Sequence, residues 1–182
     1  MRTVRAGGYE QMTIRSLAAE LGVAPMSLYR HVRDKDDLLS EVVDRMLARV
    51  WRPRGPESEW RAWVAEANEK LRRFLVAQPA ALHVFLQHPV VTPAALERMG
   101  TVISVLESGG VPSDRAQRAY ATLHTYTIGF AALQASRNRA KSRRREADRT
   151  AVAEQLAAFT SEEQFEIGLR YLLEGIERDL TA

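Results

Sequence analysis

The chain has 182 residues, 46% hydrophobic and 27% charged, with a net charge of +3, 10 Gly, 7 Pro and no Cys. Such a composition belongs to a globular chain of one or two domains; it excludes collagen-like and low-complexity classes, and the lack of thiols removes disulfide frameworks, thiolate zinc sites and cysteine nucleophiles together. No apolar run approaches the roughly 18 residues that span a bilayer and the start MRTVRAGGYEQ has no apolar signal-peptide core, so a cytoplasmic protein with no membrane partner is expected.

Strand patterning is almost absent, because no stretch pairs period-2 alternation with enough Val, Ile, Thr or aromatic residues, and the chain reads as all-α. Breakers divide it at Gly7-Gly8, Gly22, Asp34, Pro53 to Pro56, Pro79, Pro89 to Pro93, Gly109 to Pro112, a basic stretch near 140–149, and Thr160-Ser161. The Arg-Pro-Arg-Gly-Pro run at 52–56 is the natural seam between an N-terminal unit, 1–52, and a larger body, 53–182.

Thr13 to Leu21 reads as a helix with Thr13 as N-cap and with Ile14, Leu17, Ala18 and Leu21 on one face. It ends at Gly22, and a second short helix follows with Pro25 near its first position and Leu28 and Val32 turned to the same core. Two helices joined by so short a turn make a helix-turn-helix. Pro25, Met26, Ser27, Tyr29, Arg30 and His31 are left facing outward, a set that suits DNA: Arg forks onto guanine, Ser and Tyr bond phosphates, and Met and Pro press on a thymine methyl. Asp34 looks like the N-cap of the next helix, which runs from Lys35 to about Trp51, with Asp37 completing a capping box. A cation at the first helical position opposes its own helix dipole, so Lys35 makes more sense gripping a phosphate, and Thr13 is counted with it among the residues expected to meet DNA. An ordinary helical hairpin with a solvated polar face is the alternative.

Gly8-Tyr9, Thr13-Ile14, Leu17-Ala18, Gly22-Val23, Leu28-Tyr29-Arg30-His31-Val32, Lys35 and Leu38-Leu39 resemble, position after position, the DNA-binding region of the TetR family of bacterial transcriptional regulators. A looser likeness runs from Trp60 to Arg137, and the closing segment from Phe165 to Glu177 looks like the last helix of the tetracycline-repressor subgroup. The resemblance implies a three-helix DNA-binding head, a linker helix, and a helical body that dimerises and holds an inducer. It departs at the start, where Met1 to Ala6 stand in place of the full first helix that family members usually carry, so the head is expected with a truncated first helix.

Within the body, Trp60 to Ala77 is amphipathic, with Trp63, Ala67, Leu71 and Phe74 recurring at three- and four-residue steps. In a fold of this kind part of such a core is commonly opened into a pocket. Phe85, Leu86, Met99 and Ile103 are expected to join those four around it, with Leu123, His124, Thr127 and Phe130 from a long helix beginning at Ser113 and ending about Arg137. Plain packing is the competing reading for each. His83, His88 and His124 lack metal-pair spacing, so no metal is expected. The pocket-lining set looks mostly apolar, with no cluster of buried cations to neutralise an anion.

The basic stretch from Arg137 to Arg149 holds seven cations against Glu146 and Asp148 and reads as a solvated loop or frayed helix end. The last helix, Ser161 to about Asp179, carries Gly168 and Gly175 seven apart, which suggests close approach by another helix. With the helix from Ser113 it is expected to form half of an intersubunit four-helix bundle, its interface drawn from Tyr120, Ile128, Phe165, Gly168, Leu169, Leu172, Gly175 and Ile176.

The function these features point to is a homodimeric, ligand-responsive transcriptional regulator: a repressor that binds a palindromic double-stranded DNA operator and is released by a small apolar or aromatic effector. No catalytic triad, phosphate loop or carboxylate pair is found, so no enzyme activity and no cofactor are expected. The alternative is a small-molecule-binding or protein-interaction dimer of the same fold that no longer binds DNA, a reading the short first helix favours.

Overall fold

Regular structure among the described residues is entirely α-helical. The computed structural model describes residues 35–53, 59–87, 92–143, 155 and 158–181. Its helices are α1 (Lys35–Ala48), α2 (Trp60–Ala77), α3 (Pro79–Gln87), α4 (Pro93–Ser108), α5 (Ser113–Arg143) and α6 (Glu162–Thr181).

The breaks follow from local chemistry. Pro79 opens α3, a position where the missing amide hydrogen costs nothing, so α2 and α3 are separated by Gln78 alone. Thr92 caps α4 by accepting from the Ala95 amide at 3.1 Å, with Pro93 at the first helical position. At the other end of α4 the chain reverses through a Schellman motif: the amide of Gly110 donates to the Glu107 carbonyl at 2.9 Å and that of Val111 to the Leu106 carbonyl at 3.1 Å. Gly110 has φ of +95°, which glycine adopts without a Cβ penalty, and Val111 and Leu106 are buried together beneath the turn. Ser161 caps α6 by accepting from the Gln164 amide at 3.1 Å.

Two expected boundaries shift. The helix beginning at Lys35 ends at Ala48 rather than near Trp51, and the chain leaves it through a turn in which the Trp51 amide still reaches the Leu47 carbonyl at 2.9 Å. The helix beginning at Ser113 does not stop near Arg137 but continues through the first basic residues to Arg143. Arg137 is anchored there, donating to the Thr160 hydroxyl at 3.1 Å, and the long side chains that follow favour helix intrinsically despite their charge.

The body is built around α2 and α5, which pack along each other. α4 and α3 lie against both, α6 closes the side formed by α5 and α2, and α1 rests on α3 and α4. One stripe of α2 is inward: Trp63, Val64, Ala67, Leu71, Phe74 and Leu75. Arg72 lies on the same stripe, only 3% exposed. Its guanidinium is satisfied by Glu69 at 2.6 and 2.8 Å and by Gln134 of α5 at 2.7 Å, and it sits 5.1 Å from the ring centroid of Phe165 on α6. A buried charge with so many partners ties three helices together; stripping it of them would be costly.

Candidate ligand-binding site

Five helices leave a cavity of about 290 Å³ between them. Leu47 of α1 and Trp51 just beyond it form one wall, and Ala67, Asn68 and Leu71 of α2 form the next. α3 contributes Phe85; α4 contributes Ala95, Leu96, Arg98, Met99 and Val102; α5 closes the space with Tyr120, Leu123, His124 and Ile128. The volume is at the lower end of what drug-sized ligands occupy, and the wall is apolar with a few placed polar groups, the usual make-up of a small-molecule site.

The aromatic part of the wall is layered. His124 stacks on Tyr120 with ring centroids 5.2 Å apart and leans on Phe85 at 6.2 Å. Burial, then the positive charge of Arg98, lowers the His124 pKa, so the imidazole is neutral at neutral pH. Burial raises the Tyr120 pKa, with Arg98 acting the other way, and the phenol keeps its proton. Both therefore offer uncharged hydrogen-bonding groups. Asn68 is held in place: its amide nitrogen donates to the Val64 carbonyl at 2.9 Å and its oxygen accepts from the Thr127 hydroxyl at 2.8 Å. Trp51 meets Trp63 edge-on at 5.8 Å, which sets the indole that faces the cavity. Arg98 bonds the Asp44 carboxylate of α1.

Of the residues expected around a pocket, Ala67, Leu71, Phe85, Met99, Leu123 and His124 are brought together in this wall. The others are not. Trp63, Phe74 and Phe130 are buried elsewhere in the core, Phe130 edge-on to Phe165 at 5.1 Å; Thr127 turns to Asn68; Ile103 packs against the core outside the lining. Leu86 is 52% exposed, because it follows Phe85 directly and consecutive helical residues point about 100° apart. The same geometry puts Val102, not its neighbour Ile103, into the cavity. Beyond the expected residues the wall includes one cation, Arg98. It shares the α4 face of Ala95, Met99 and Val102 at helical spacing, a signal that extending the face from Met99 in steps of three and four would have found.

Several residues expected at a subunit interface also have places within the chain. Tyr120 and Ile128 line the cavity. Phe165 and Leu169 are buried within the chain at 0% and 4% exposure, and the space beside Gly168 is filled by Tyr126 of the same chain. Leu172 and Ile176 are half-buried against the core, and Gly175 faces open space. Among the described side chains, the large apolar ones that stay exposed on α5 and α6 are Leu133 and Tyr171. Among the described residues there is no group of three side chains fit to hold a metal, and no helix is long and apolar enough to cross a membrane. Thr13, Pro25, Met26, Ser27, Tyr29, Arg30 and His31, expected on DNA, and His88 lie outside the described residues; Lys35 opens α1.

The cavity of this all-helical body is walled in part by α1, the last helix of the N-terminal unit. Residues 52–180 match the family described as tetracyclin repressor-like, C-terminal domain, and residues 1–42 match the bacterial regulatory proteins of the tetR family. The chain is 30% identical over 182 residues to an HTH-type transcriptional regulator of Saccharopolyspora erythraea, covering 93% of this chain and 77% of that one. It is 33% identical over 144 residues to the HTH-type transcriptional repressor DrrR1 of Streptomyces coeruleorubidus, covering 76% of this chain but only about half, 52%, of the relative's length. Among solved structures, apo ActR of Streptomyces coelicolor superposes with a TM-score of 0.76 at 26% identity, covering all of this chain and 94% of that one; ActR in complex with (S)-DNPA gives 0.73 at 25%, covering 96% and 91%. The chain belongs to the TetR family of bacterial transcriptional regulators.

Proposed function

We propose that the chain is a homodimeric repressor which releases a palindromic operator when a small organic effector enters the body cavity. The observation that carries this reading is the place of Leu47 and Trp51 in the cavity wall. They belong to α1 and the turn after it, the segment that joins the DNA-binding region to the body, so an occupant touches the element through which the head is positioned. The aromatic wall of Trp51, Phe85, Tyr120 and His124 favours a flat, ring-containing effector. That ActR, of the same fold, has been seen with the small molecule (S)-DNPA supports a ligand-sensing body.

In this reading Pro25 to His31 occupy the major groove, with Arg30 on base edges and Thr13, Ser27, Tyr29, His31 and Lys35 on phosphates, at half-sites about one helical turn apart. The dimer forms through the outer faces of α5 and α6, around Leu133, Tyr171 and Gly175. An effector that prefers the DNA-free arrangement shifts the population to it.

The test is a gel shift on the DNA upstream of the chain's own gene, followed by a thermal-shift screen of ring-containing metabolites and drugs. The expected result is retardation of that duplex, and its loss with any compound that raises thermal stability. Failure to retard the duplex would favour a dimer of this fold that no longer binds DNA; stabilising compounds that leave the complex intact would remove the sensing role.

A further inference from the structure

Among the described residues of the cavity wall Arg98 is the one ionised side chain, and none is a carboxylate. It is 14% exposed and pairs with Asp44 of α1, which is 3% exposed. The pairing is incomplete. Arg98 donates from one terminal nitrogen to one oxygen of Asp44, and the second oxygen, Oδ2, has no hydrogen-bond partner. A carboxylate can accept about four hydrogen bonds, so the buried Asp44 keeps capacity unused, while Arg98 retains N–H groups that the ion pair does not employ. Leaving such a group unmet in a low-dielectric interior is costly, and the link is therefore poised to exchange partners.

We propose that the effector carries a carboxylate beside its rings, and that this carboxylate takes Arg98 in competition with Asp44. The proposal rests on the reading of the cavity as the effector site. A planar, doubly bonded guanidinium–carboxylate pair is the strong arrangement for both groups, and an entering carboxylate is free to adopt it where Asp44, fixed on its helix, has not. A cationic occupant would meet Arg98 with no acidic group among the described residues of the wall to offset it. The rings would lie against Trp51, Phe85 and the stacked pair Tyr120–His124. Drawing Arg98 away leaves Asp44 as a buried charge without its cation, and the docked position of α1 on α4 is weakened. Effector binding and α1 position become linked, each opposing the other by the same factor.

The test uses the full chain with 2-naphthylacetate and its neutral counterpart 2-naphthylacetamide, read by tryptophan quenching, since Trp51 lies in the wall, and by calorimetry. The parent is expected to bind the carboxylate about tenfold more tightly than the amide, the difference a charge-assisted hydrogen bond makes. Arg98→Gln should bring the ratio of carboxylate to amide affinity to about one, with unchanged helical circular dichroism showing that the variant is folded, and Arg98→Lys should keep most of the preference. Asp44→Asn should raise the ratio of carboxylate to amide affinity severalfold above the parent's, with unchanged helical circular dichroism showing that the variant is folded. Equal affinities in the parent, a preference that survives Arg98→Gln, or no gain in Asp44→Asn each overturn the proposal. If the amide binds and the carboxylate binds no better, the cavity reading stands and this inference alone fails. If neither binds the parent, both fall together.

Discussion

Tyr126 fills the space that a side chain on Gly168 would need. Its ring stacks on Phe165 with centroids 5.2 Å apart, its hydroxyl donates to the Phe165 carbonyl at 3.0 Å, and a Cβ built on Gly168 would fall on the phenol. The glycine one turn after Phe165 is thus what lets α5 lay an aromatic side chain across α6. Gly168→Ala gains up to about 1 kcal/mol of helix propensity but forces Tyr126 off its hydrogen bond, and a net loss of about 1–3 kcal/mol is expected. Urea unfolding of Gly168→Ala beside Gly168→Ala/Tyr126→Leu checks this: the smaller side chain should recover part of the loss, and no recovery would assign the cost elsewhere.

Gly175, seven residues on, behaves differently because, beyond its own turns of helix, no atom of the described residues lies within 4 Å of a Cβ placed there. Gly175→Leu should leave the protomer folded, with unchanged helical circular dichroism, and weaken the dimer in sedimentation, since its side chain would project from the outer face of α6 toward a partner. A dimer that persists at the parent's dissociation constant would take Gly175 out of the interface.

The Thr127 hydroxyl and the Asn68 amide form a buried bridge between α5 and α2 at 2.8 Å, at 0% and 7% exposure. Thr127→Val is close in shape and removes the donor, so the Asn68 oxygen loses its bond and about 1–3 kcal/mol of stability should go with it. Asn68→Leu with Thr127→Val should cost less than the two single changes added together, because the double variant leaves neither group unpaired. Additivity within about 0.5 kcal/mol would show the bridge to be energetically idle.

Element identity was legible wherever a local signal fixes it: Pro79, the Thr92-Pro93 cap, Gly109-Gly110 and Ser161 all mark helix ends where they occur. What each helix faces was less so. Hydrophobicity says that a residue is inside, not against which neighbour, so Thr127 and Phe130 were grouped with Leu123 although α5 turns them to α2 and α6. Arg98 was legible only in part. Its spacing from Ala95 and Val102 places it on the inward face of α4, but its partner Asp44 lies 54 positions earlier, beyond any local pattern. Gly168 and Gly175 look alike in sequence, and only the position of Tyr126 separates them.

For the head, phosphate and base contacts should separate in their salt and sequence dependence. Lys35→Ala should weaken operator and random duplex alike and reduce the slope of log affinity against log salt by about 1, one released counterion. Arg30→Ala should instead cost about 1–3 kcal/mol on the operator and little on random duplex, relaxing specificity. Fluorescence anisotropy across a salt series gives both numbers, and two variants that bind as the parent does would mean that this face does not meet DNA.

His124 makes stability depend on pH through its position in the cavity wall. Burial first, and the Arg98 charge second, hold its pKa below the ordinary value of 6.5. In the interval between the folded and unfolded pKa values the unfolded chain binds more protons, so stability rises with pH there. The contribution is fully present above about 6.5 and is lost as pH falls through that interval. Thermal midpoints of the parent should therefore drop more steeply below pH of about 6.5 than those of His124→Gln, which has no group to titrate at that position. Equal slopes would show that the imidazole protonates in place without cost. Arg98→Gln provides an independent readout: with the second cause removed and burial unchanged, the His124 imidazole followed by NMR should titrate at higher pH than in the parent, and an unmoved titration would show that the guanidinium is screened from the ring.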